Sequence, residues 1–570
     1  MTVLHFGGGQ VSKQLIYQQL VDNPPKIISL DTETISLKEK LPIGFAIATS
    51  PFEAWWFDCY PEYDLEIEML VSLMQNPAIK KVFANCMFDI RVMPLIFQNF
   101  SFDESNIADI LVEARLLGRT HARVSDLAKE IGREAQDAGD LLTEYGAKSM
   151  LELPHDLVAK KCANDAMVTL ALYHHLHPQI ASLSLSSDYL DTEMKVVPVL
   201  VDMSQRGLAI DQTARLAMEK RLEEDRDFYK SKCAEFDFNP GSGLQTGYIL
   251  AKRGNFLPFT KSRKQLKTDE ETLELLDDPL AAVVLGYKRA NSILTKYIYP
   301  LRNQERIYTS YGLDTEVGRT KSSDFNMQNI PAESSRIGVD CRHIFIPDTG
   351  TFTTLDYSQL HLRFLMYMSN DAEMKRVYYD GKDGGDIHLS TAGKIHKPRS
   401  ISKIVNYVIP YGGDPHTLAK QLKTKNLRWC SELIDDWFEA YPDAAEWLNE
   451  AKRYGIKNGK SLPTLFGRQI AIPEEWIYER GKSIFDPTRK KIKLDIKAME
   501  RKGANYPILG SDGEVIKRAL VICSDHKLPL AVTVHDSITA DGDVIFPVEK
   551  LETLAPVPIP VNVERSERWK

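Results

Sequence analysis

The sequence has no C-x-x-C pair, no apolar run of membrane-spanning length, no low-complexity linker, no short-period repeat and no surplus of positive charge. Each absence excludes something. The seven cysteines (Cys59, Cys86, Cys162, Cys233, Cys341, Cys430 and Cys523) are odd in number and scattered. They speak against a disulfide framework or structural zinc and point to a reducing compartment. The first residues lack the basic and apolar regions of a secretory signal, and no segment is long and apolar enough to be a membrane helix, so a cytoplasmic protein with no membrane partner is expected. The net charge of −8, from 71 basic and 79 acidic residues, gives no global nucleic-acid signature, although a basic groove can sit on an acidic body. At 570 residues the chain is too long for one core and predicts three or four domains.

What is present divides the chain. Residues 26–90 read as an α/β beginning: Lys26-Ile-Ile-Ser-Leu-Asp31 as a strand, Gly44–Thr49 and Ala54–Asp58 as meander partners, and Lys81–Asn85 as a further short strand. Helical patterns run to about 185. From Leu190 to Arg226 the pattern is again helical with a break at Arg206-Gly207, and it continues, basic, to about 310. Two strand-rich stretches, 340–369 and 503–570, flank a helical insert of about 370–500. Basic residues concentrate in Lys252–Arg306 (among them Arg253, Lys261, Arg263, Lys264, Lys267, Lys288, Arg289, Arg302) and in Arg480–Lys502 around Arg489. They read either as a solvated face or as a surface that follows phosphates.

Two sets of carboxylates carry the chemistry. Asp31 and Glu33 end the first strand and, two apart, share a face. Asp89 follows the later strand, and Asp165 sits on a helical pattern. Any one of these could be a turn, a cap or a surface acid. Four acids arriving from three elements suit a two-metal phosphodiester hydrolase. In the second set, Asp356 and Asp536 each follow an apolar strand-like run, Thr351–Leu355 and Leu530–His535. A carboxylate at the edge of such a strand is costly unless a cation is held there, and two side by side would cage two hard divalent ions for in-line phosphoryl transfer. Between them, Arg399, Lys403, Tyr407 and Tyr411 recur every four residues. On a helix that spacing drifts about 40° per step, which makes one stripe. Arg399 and Lys403 suit triphosphate oxygens, the one as a fork and the other as a point charge. Pro410 predicts a bend near Tyr411, with Gly412-Gly413 ending the helix. The residues therefore point to a template-directed nucleotidyl transferase.

The acidic trio of motifs resembles the DEDD 3′–5′ exonuclease superfamily, with an RNase H-like sheet. The second half resembles family A DNA polymerases, the DNA polymerase I type. Asp356-Tyr-Ser-Gln-Leu-His-Leu-Arg363 resembles motif A, Arg399 to Gly412 motif B, and His535-Asp536-Ser537 motif C. Supporting matches are Gly318-Arg319, Asn326-Met-Gln328-Asn-Ile-Pro331, Asp386-Ile-His388, Thr464–Arg468, Asn505-Tyr-Pro-Ile, Gly513–Lys517 and Asn239-Pro-Gly-Ser. The resemblance implies an α/β and α+β multidomain chain. An exonuclease-like domain at 1–185 would precede a right-hand polymerase domain at 186–570, with a thumb at about 205–310, a palm at about 311–369 and 501–570, and fingers at about 370–500. It implies two Mg²⁺ per active site, with Mn²⁺ as a substitute. The ligands would be Asp356, Asp536 and the Tyr357 carbonyl in one site, and Asp31, Glu33, Asp89 and Asp165 in the other. Tyr407 would cover sugar and base, and Tyr411 would stack near the templating pair. Gln359, His361 and His388 would lie around the nucleotide. Arg319, Asn326, Gln328, Asn505 and His535 would meet DNA. Primer-template DNA and dNTPs are the implied partners of a monomer, with replisome proteins unspecified. The start of the sequence at the exonuclease-like segment leaves no room for a 5′ nuclease and suggests a bacteriophage replicative enzyme.

Several positions depart from the family pattern. Where the exonucleases place a Tyr or His to orient water, this chain has Lys161 and Lys160. The Glu that bonds the Tyr411 position and blocks a ribose 2′-hydroxyl is His361. Ser537 replaces a Glu, and Leu509 a minor-groove Gln, so half of a mismatch check is absent. Tyr407 resembles the versions that accept 3′-deoxy sugars. Competing readings are an exonuclease whose second half only holds DNA, a polymerase lacking proofreading because of Lys161, a non-enzymatic replication protein, and a single-subunit RNA polymerase. Intact Asp356, Asp536, Arg399 and Lys403 speak against the first and third, and the exonuclease motifs against the last.

Overall fold

The computed structural model describes residues 3–6, 20, 22–36, 40–59, 71–96, 106–119, 123–260, 265–331, 340–478 and 490–570. Of the basic residues singled out above, Lys261, Arg263, Lys264, Arg480 and Arg489 lie outside them. Among the described residues, β1 (Val3–Phe6), β2 (Ile27–Thr34), β3 (Pro42–Ser50), β4 (Glu53–Asp58), β5 (Lys80–Phe83) and β6 (Ile107–Asp109) form a six-stranded sheet in the order β1-β4-β3-β2-β5-β6. The predicted meander is β2-β3-β4, antiparallel throughout. β5 and β6 add in parallel beyond β2, the mixed sheet of an RNase H-like domain. β3 is buried over most of its length because helices cover both faces. On one side lies α1 (Cys86–Ile96), with Val92, Met93 and Ile96 in the core beside Leu30 and Phe45. On the other, α2 (His155–Ile180) lays Ala159, Cys162, Ala163 and Ala166 against Ala46, Ala48 and Trp56. Those small side chains let helix and sheet approach until the Ser29 hydroxyl donates to the Ala166 carbonyl at 2.5 Å.

α3 (Tyr189–Arg206) links the two halves. It stops at Gly207, which has φ 59° and whose place a Cβ could not share, since it would lie 2.4 Å from the Ile307 carbonyl oxygen. Next come α4 (Gln212–Ala234) and α5 (Pro279–Ile293), which pack along each other. The elements that position the second site include β7 (Phe352–Tyr357), α6 (Leu360–Ser369), α7 (Ile387–Lys394), α8 (Arg399–Val408), α9 (Leu427–Ala440), α10 (Pro442–Asn458), α11 (Ile496–Asp525), β8 (Leu530–Val534), β9 (Ser537–Asp541) and β10 (Val561–Ser566). The four strands pair antiparallel in the order β8-β9-β7-β10.

The stretch 503–570, expected to be strand-rich, opens instead inside the 30-residue α11. Gly513–Lys517, which reads as helical, lies inside it, and the glycines of the helix are there for close approach. A Cβ on Gly510 would lie 2.7 Å from Thr464 and one on Gly513 3.0 Å from the Gly318 carbonyl oxygen. The helix is buried nearly all round, so it shows no amphipathic period to announce it. No helix among the described residues is long and apolar enough to cross a membrane, and all seven cysteines are buried and unpaired.

Candidate active sites

Asp31 and Glu33 project from β2 on one face, as their spacing requires. α1 brings Asp89 to them: its Oδ1 accepts from the Thr32 amide at 3.1 Å and the Thr32 hydroxyl at 2.7 Å. The start of α1 is tied down by Asp109, whose Oδ2 accepts the Cys86 amide at 2.7 Å. α2 supplies Asp165 and, one turn earlier, Lys161. The Lys161 ammonium lies 2.6 Å from Glu33 Oε1 and 2.8 Å from Asp165 Oδ2. All four predicted acids therefore share one site. Burial raises each of them above the ordinary carboxylate range, Lys161 opposing it for Asp31, Glu33 and Asp165, and Asp89 is pushed up to about 8. Asp31 is raised further by its three acidic neighbours. Burial works against the charge on Lys161, yet Glu33, Asp165 and Asp31 outweigh it and hold the ammonium firmly protonated. Asp31 Oδ2 and Asp165 Oδ1 are buried with no hydrogen-bond partner among the described residues, the condition of a carboxylate that lacks its cation. Cys162 places its sulfur within 4.8 Å of the ligand atoms of Asp31 and Glu33. Its thiol donates to the Asp31 carbonyl at 3.3 Å and is pushed up by burial, so it braces the strand.

The second site is built by sheet pairing. Asp356, near the end of β7, stands opposite Ser537 of β9 and Asn562 of β10. β8 and β9 are joined by a hairpin whose two loop residues are His535, in the left-handed region at φ 55°, and Asp536. The Tyr357 amide donates to the Asp536 carbonyl at 3.1 Å, which sets the two aspartates side by side. Asp356 opens onto the cleft but is walled by protein below. That burial and the neighbouring Asp536 raise it to about 6, with no cation among the described groups acting on it. Asp536 is raised by burial and then by Asp512. Tyr357 turns its ring into the core, its hydroxyl donating to the Leu551 carbonyl at 3.3 Å, so only its main chain is left to face the site. Ser537, in place of an acid, closes the turn by donating to the Val534 carbonyl at 2.8 Å.

α8 carries Arg399, Lys403 and Tyr407 on one face, as the spacing predicted, but Tyr411 is not on it. The helix ends at Val408, with Ile409 as its cap. Pro410 cannot donate the next amide, so the expected bend is a termination. Gly412 follows at φ 70°. Arg399 reaches Asp386 at 2.8 Å, while Lys403 and Tyr407 are exposed. Tyr411 comes from the following turn and meets His361 Nδ1 through its hydroxyl, the rings edge to face with centroids 5.6 Å apart. His388 lies beside Tyr407, centroids 5.8 Å apart. Gln359 caps α6 and accepts from the Tyr378 hydroxyl at 2.9 Å.

Residues 211–554 match the family model of DNA polymerase family A, and residues 13–181 that of a 3′-5′ exonuclease. The chain belongs to DNA polymerase family A. It is 26% identical to the DNA polymerase I of Chloroflexus aurantiacus over 95% of this chain and 61% of that protein. It is 27% identical to the DNA polymerase I of Rhizobium leguminosarum over 87% of this chain and 49% of the relative. The chain thus spans between half and three fifths of the length of these relatives. The POL domain of Pol1 from M. smegmatis, solved in complex with DNA primer-template and dNTP, shares the fold. It has a TM-score of 0.77 and 20% identity, covering 95% of each chain.

Against this family A frame, the remaining predicted residues scatter around the cleft. Arg319 Nε pairs with Asp512 at 2.6 Å. Its segment is held from behind by Arg468, which donates to the carbonyls of Val317 and Glu316 at 3.2 Å each. Asn326 accepts from the Ser322 hydroxyl at 3.0 Å, and Gln328 donates to Thr320 at 3.2 Å. Asn505 leaves its Oδ1 buried and unpaired among the described residues. His535 is held below its ordinary value by burial and by Arg319. In the basic segment, Arg253, Lys267, Arg289, Arg302 and Arg306 pair with acids of this chain, so those five read as a solvated, internally balanced face.

Two residues of the polymerase site escaped sequence reasoning. Asp512, fully buried on α11, pairs with Arg319 and lies 3.4 Å from His361 Nε2. Burial opposes its charge, yet His361 and Arg319 hold it below the ordinary range. The segment Pro507–Leu520 also carries Glu514, Lys517 and Arg518, so nothing local singled Asp512 out. Asn406, buried on α8, donates to His388 Nδ1 at 3.0 Å and to the Thr391 hydroxyl at 2.9 Å, and accepts from Trp437 Nε1 at 2.8 Å. Burial first, then Arg399 and Lys403, lower His388 to about 4. It is neutral at pH 7, and with Nδ1 accepting, its proton sits on Nε2.

Proposed function

We propose that this chain is a DNA-templated DNA polymerase that adds dNTPs to a primer 3′ end, with a 3′–5′ exonuclease in its N-terminal domain. The observation that carries the reading is the convergence of Asp356 and Asp536, set side by side by the Tyr357–Asp536 main-chain bond, within electrostatic reach of Tyr407 on the helix that also carries Arg399 and Lys403. Two adjacent carboxylates, with no cation among the described groups acting on Asp356, fit divalent ions, and two Mg²⁺ would be held by Asp356, Asp536 and the Tyr357 carbonyl. Bound there, the ions would supply activation of the primer hydroxyl and charge neutralisation at the leaving pyrophosphate. The chain's own groups do the rest. Arg399 would exchange Asp386 for phosphate oxygens, and Lys403 would add a point charge. His388 would donate from Nε2, and Tyr407 would cover sugar and base. The segments at about 205–310 and 370–500 would enclose duplex and nucleotide, and the partners are primer-template DNA and dNTPs. In the first domain, the unpaired oxygens of Asp31 and Asp165 fit a divalent ion beside a scissile phosphate.

A labelled primer-template with Mg²⁺, with and without dNTPs, tests both halves. Asp356→Ala should cut extension by about 10³-fold, about 4 kcal/mol of transition-state stabilisation, and leave trimming intact. Asp31→Ala should do the reverse. Loss of both activities in either folded variant would refute two independent sites.

A further inference from the structure

This inference rests on the exonuclease half of the reading above. In the cluster of Asp31, Glu33, Asp89 and Asp165, Lys161 is a structural member. Its ammonium bridges Glu33 Oε1 at 2.6 Å and Asp165 Oδ2 at 2.8 Å, and the three side chains are only 12%, 7% and 14% exposed. The pairing is fixed from two directions. Lys161 and Asp165 lie one turn apart on α2, and Glu33 comes from the sheet on which that helix packs. Two buried carboxylate oxygens without a partner among the described residues, Asp31 Oδ2 and Asp165 Oδ1, are not those the ammonium touches. The site therefore contains one cation position filled by the protein and one set of oxygens still lacking a cation.

We propose that Lys161 takes the place of one of two divalent ions, so that this site binds a single ion, held by Asp31 and Asp165, with the ammonium as its permanent second cation. An ion at the Glu33–Asp165 bridge would have to displace a charged group from where it now sits, and it would meet that group's repulsion if it did not. The lysine would have to leave a largely buried position, giving up two charge-assisted hydrogen bonds. An ion on the Asp31 side displaces no group and meets the ammonium only across space, since Lys161 makes its direct contacts with Glu33 and Asp165. The trimming half of the protein would then depend on lysine as well as metal for charge.

The test counts ions. A chain carrying Asp356→Asn and Asp536→Asn, which removes the polymerase ligands, is equilibrated with Mn²⁺ and a deoxynucleoside monophosphate. Bound manganese is measured by electron paramagnetic resonance and by elemental analysis after gel filtration. One ion per chain is expected with Lys161 present, and two in the Lys161→Tyr and Lys161→Ala versions, each checked for folding by circular dichroism. Two ions with Lys161 present overturn the inference and leave the exonuclease reading standing. One ion in all versions also overturns it, because the lysine would not be what excludes the second. No ion in any version removes the exonuclease reading itself. Should the lysine variants fail to fold, the count on the chain that keeps Lys161 still decides between one and two.

Discussion

One hydroxyl separates Tyr407 from phenylalanine, and its half-exposed ring beside His388 places that hydroxyl at the cleft. By its resemblance to the family members that accept 3′-deoxy sugars, Tyr407 should let dideoxynucleotides terminate synthesis efficiently, and Tyr407→Phe should restore discrimination. Steady-state incorporation ratios check this, and a preference above about a hundredfold (about 2.7 kcal/mol) for the normal nucleotide in the unmodified chain would count against it. Asp89 makes a second prediction at the residue scale. Its ordinary value is 3.8 and its folded value about 8, so between those limits the folded state keeps a proton that the unfolded state has released. Metal-free stability should thus fall as pH rises from about 4 to about 8 and level off above. Thermal melts in EDTA should show that fall. Asp89→Asn, whose amide oxygen can still accept from Thr32, should make it shallower, with Asp31, Glu33 and Asp165 contributing to what remains. All four acids were legible from their order in the chain. What Lys161 does among them was not, because its partner Glu33 is 128 residues away.

At the scale of elements, α7 and α8 act as a unit fastened by Asn406. Asn406→Ala would leave His388 Nδ1 and Trp437 Nε1 buried without their partner, at about 1–3 kcal/mol for each unsatisfied group. The expected outcome is a lower melting temperature and a KM for dNTP raised about tenfold, with kcat affected less. Loss of stability without a change in KM would assign Asn406 to packing alone. The same pair shows where a sequence pattern stops being informative. A four-residue period identifies a stripe on α8 through Tyr407, and Pro410 marks its end, while the meeting of Tyr411 with His361, 50 residues upstream, was legible only through the family resemblance and not from the period. In α11 the failure is of another kind. Glycines chosen for contact with Thr464 and Gly318 look, one at a time, like interruptions.

At the scale of the whole molecule, the two halves are joined by charge as well as by core. Lys517 on α11 pairs with Glu193 on α3, both fully buried, while the Tyr189 hydroxyl donates to Glu514 at 2.8 Å. Burial lowers the Lys517 ammonium from its ordinary value, and Glu193 opposes the shift. Lys517→Met leaves a buried carboxylate alone and should destabilise the protein by about 3–5 kcal/mol. Adding Glu193→Met should recover much of that loss. Denaturant titration of the two variants checks it, and equal stability of Lys517→Met and the parent would show that the pair is not what joins α3 to α11.

Residue types and spacings alone determined the two acidic sets, the basic-aromatic stripe and four strands of the first sheet, because those depend on periods of two and four and on short apolar runs. Tertiary structure alone decided which oxygens lack a partner, that Lys161 bridges Glu33 and Asp165, that Asp512 braces Arg319 and that Asn406 sets the tautomer of His388. Each of these rests on contacts between distant segments, and a local pattern holds no information about which buried polar groups will find each other once the core has closed.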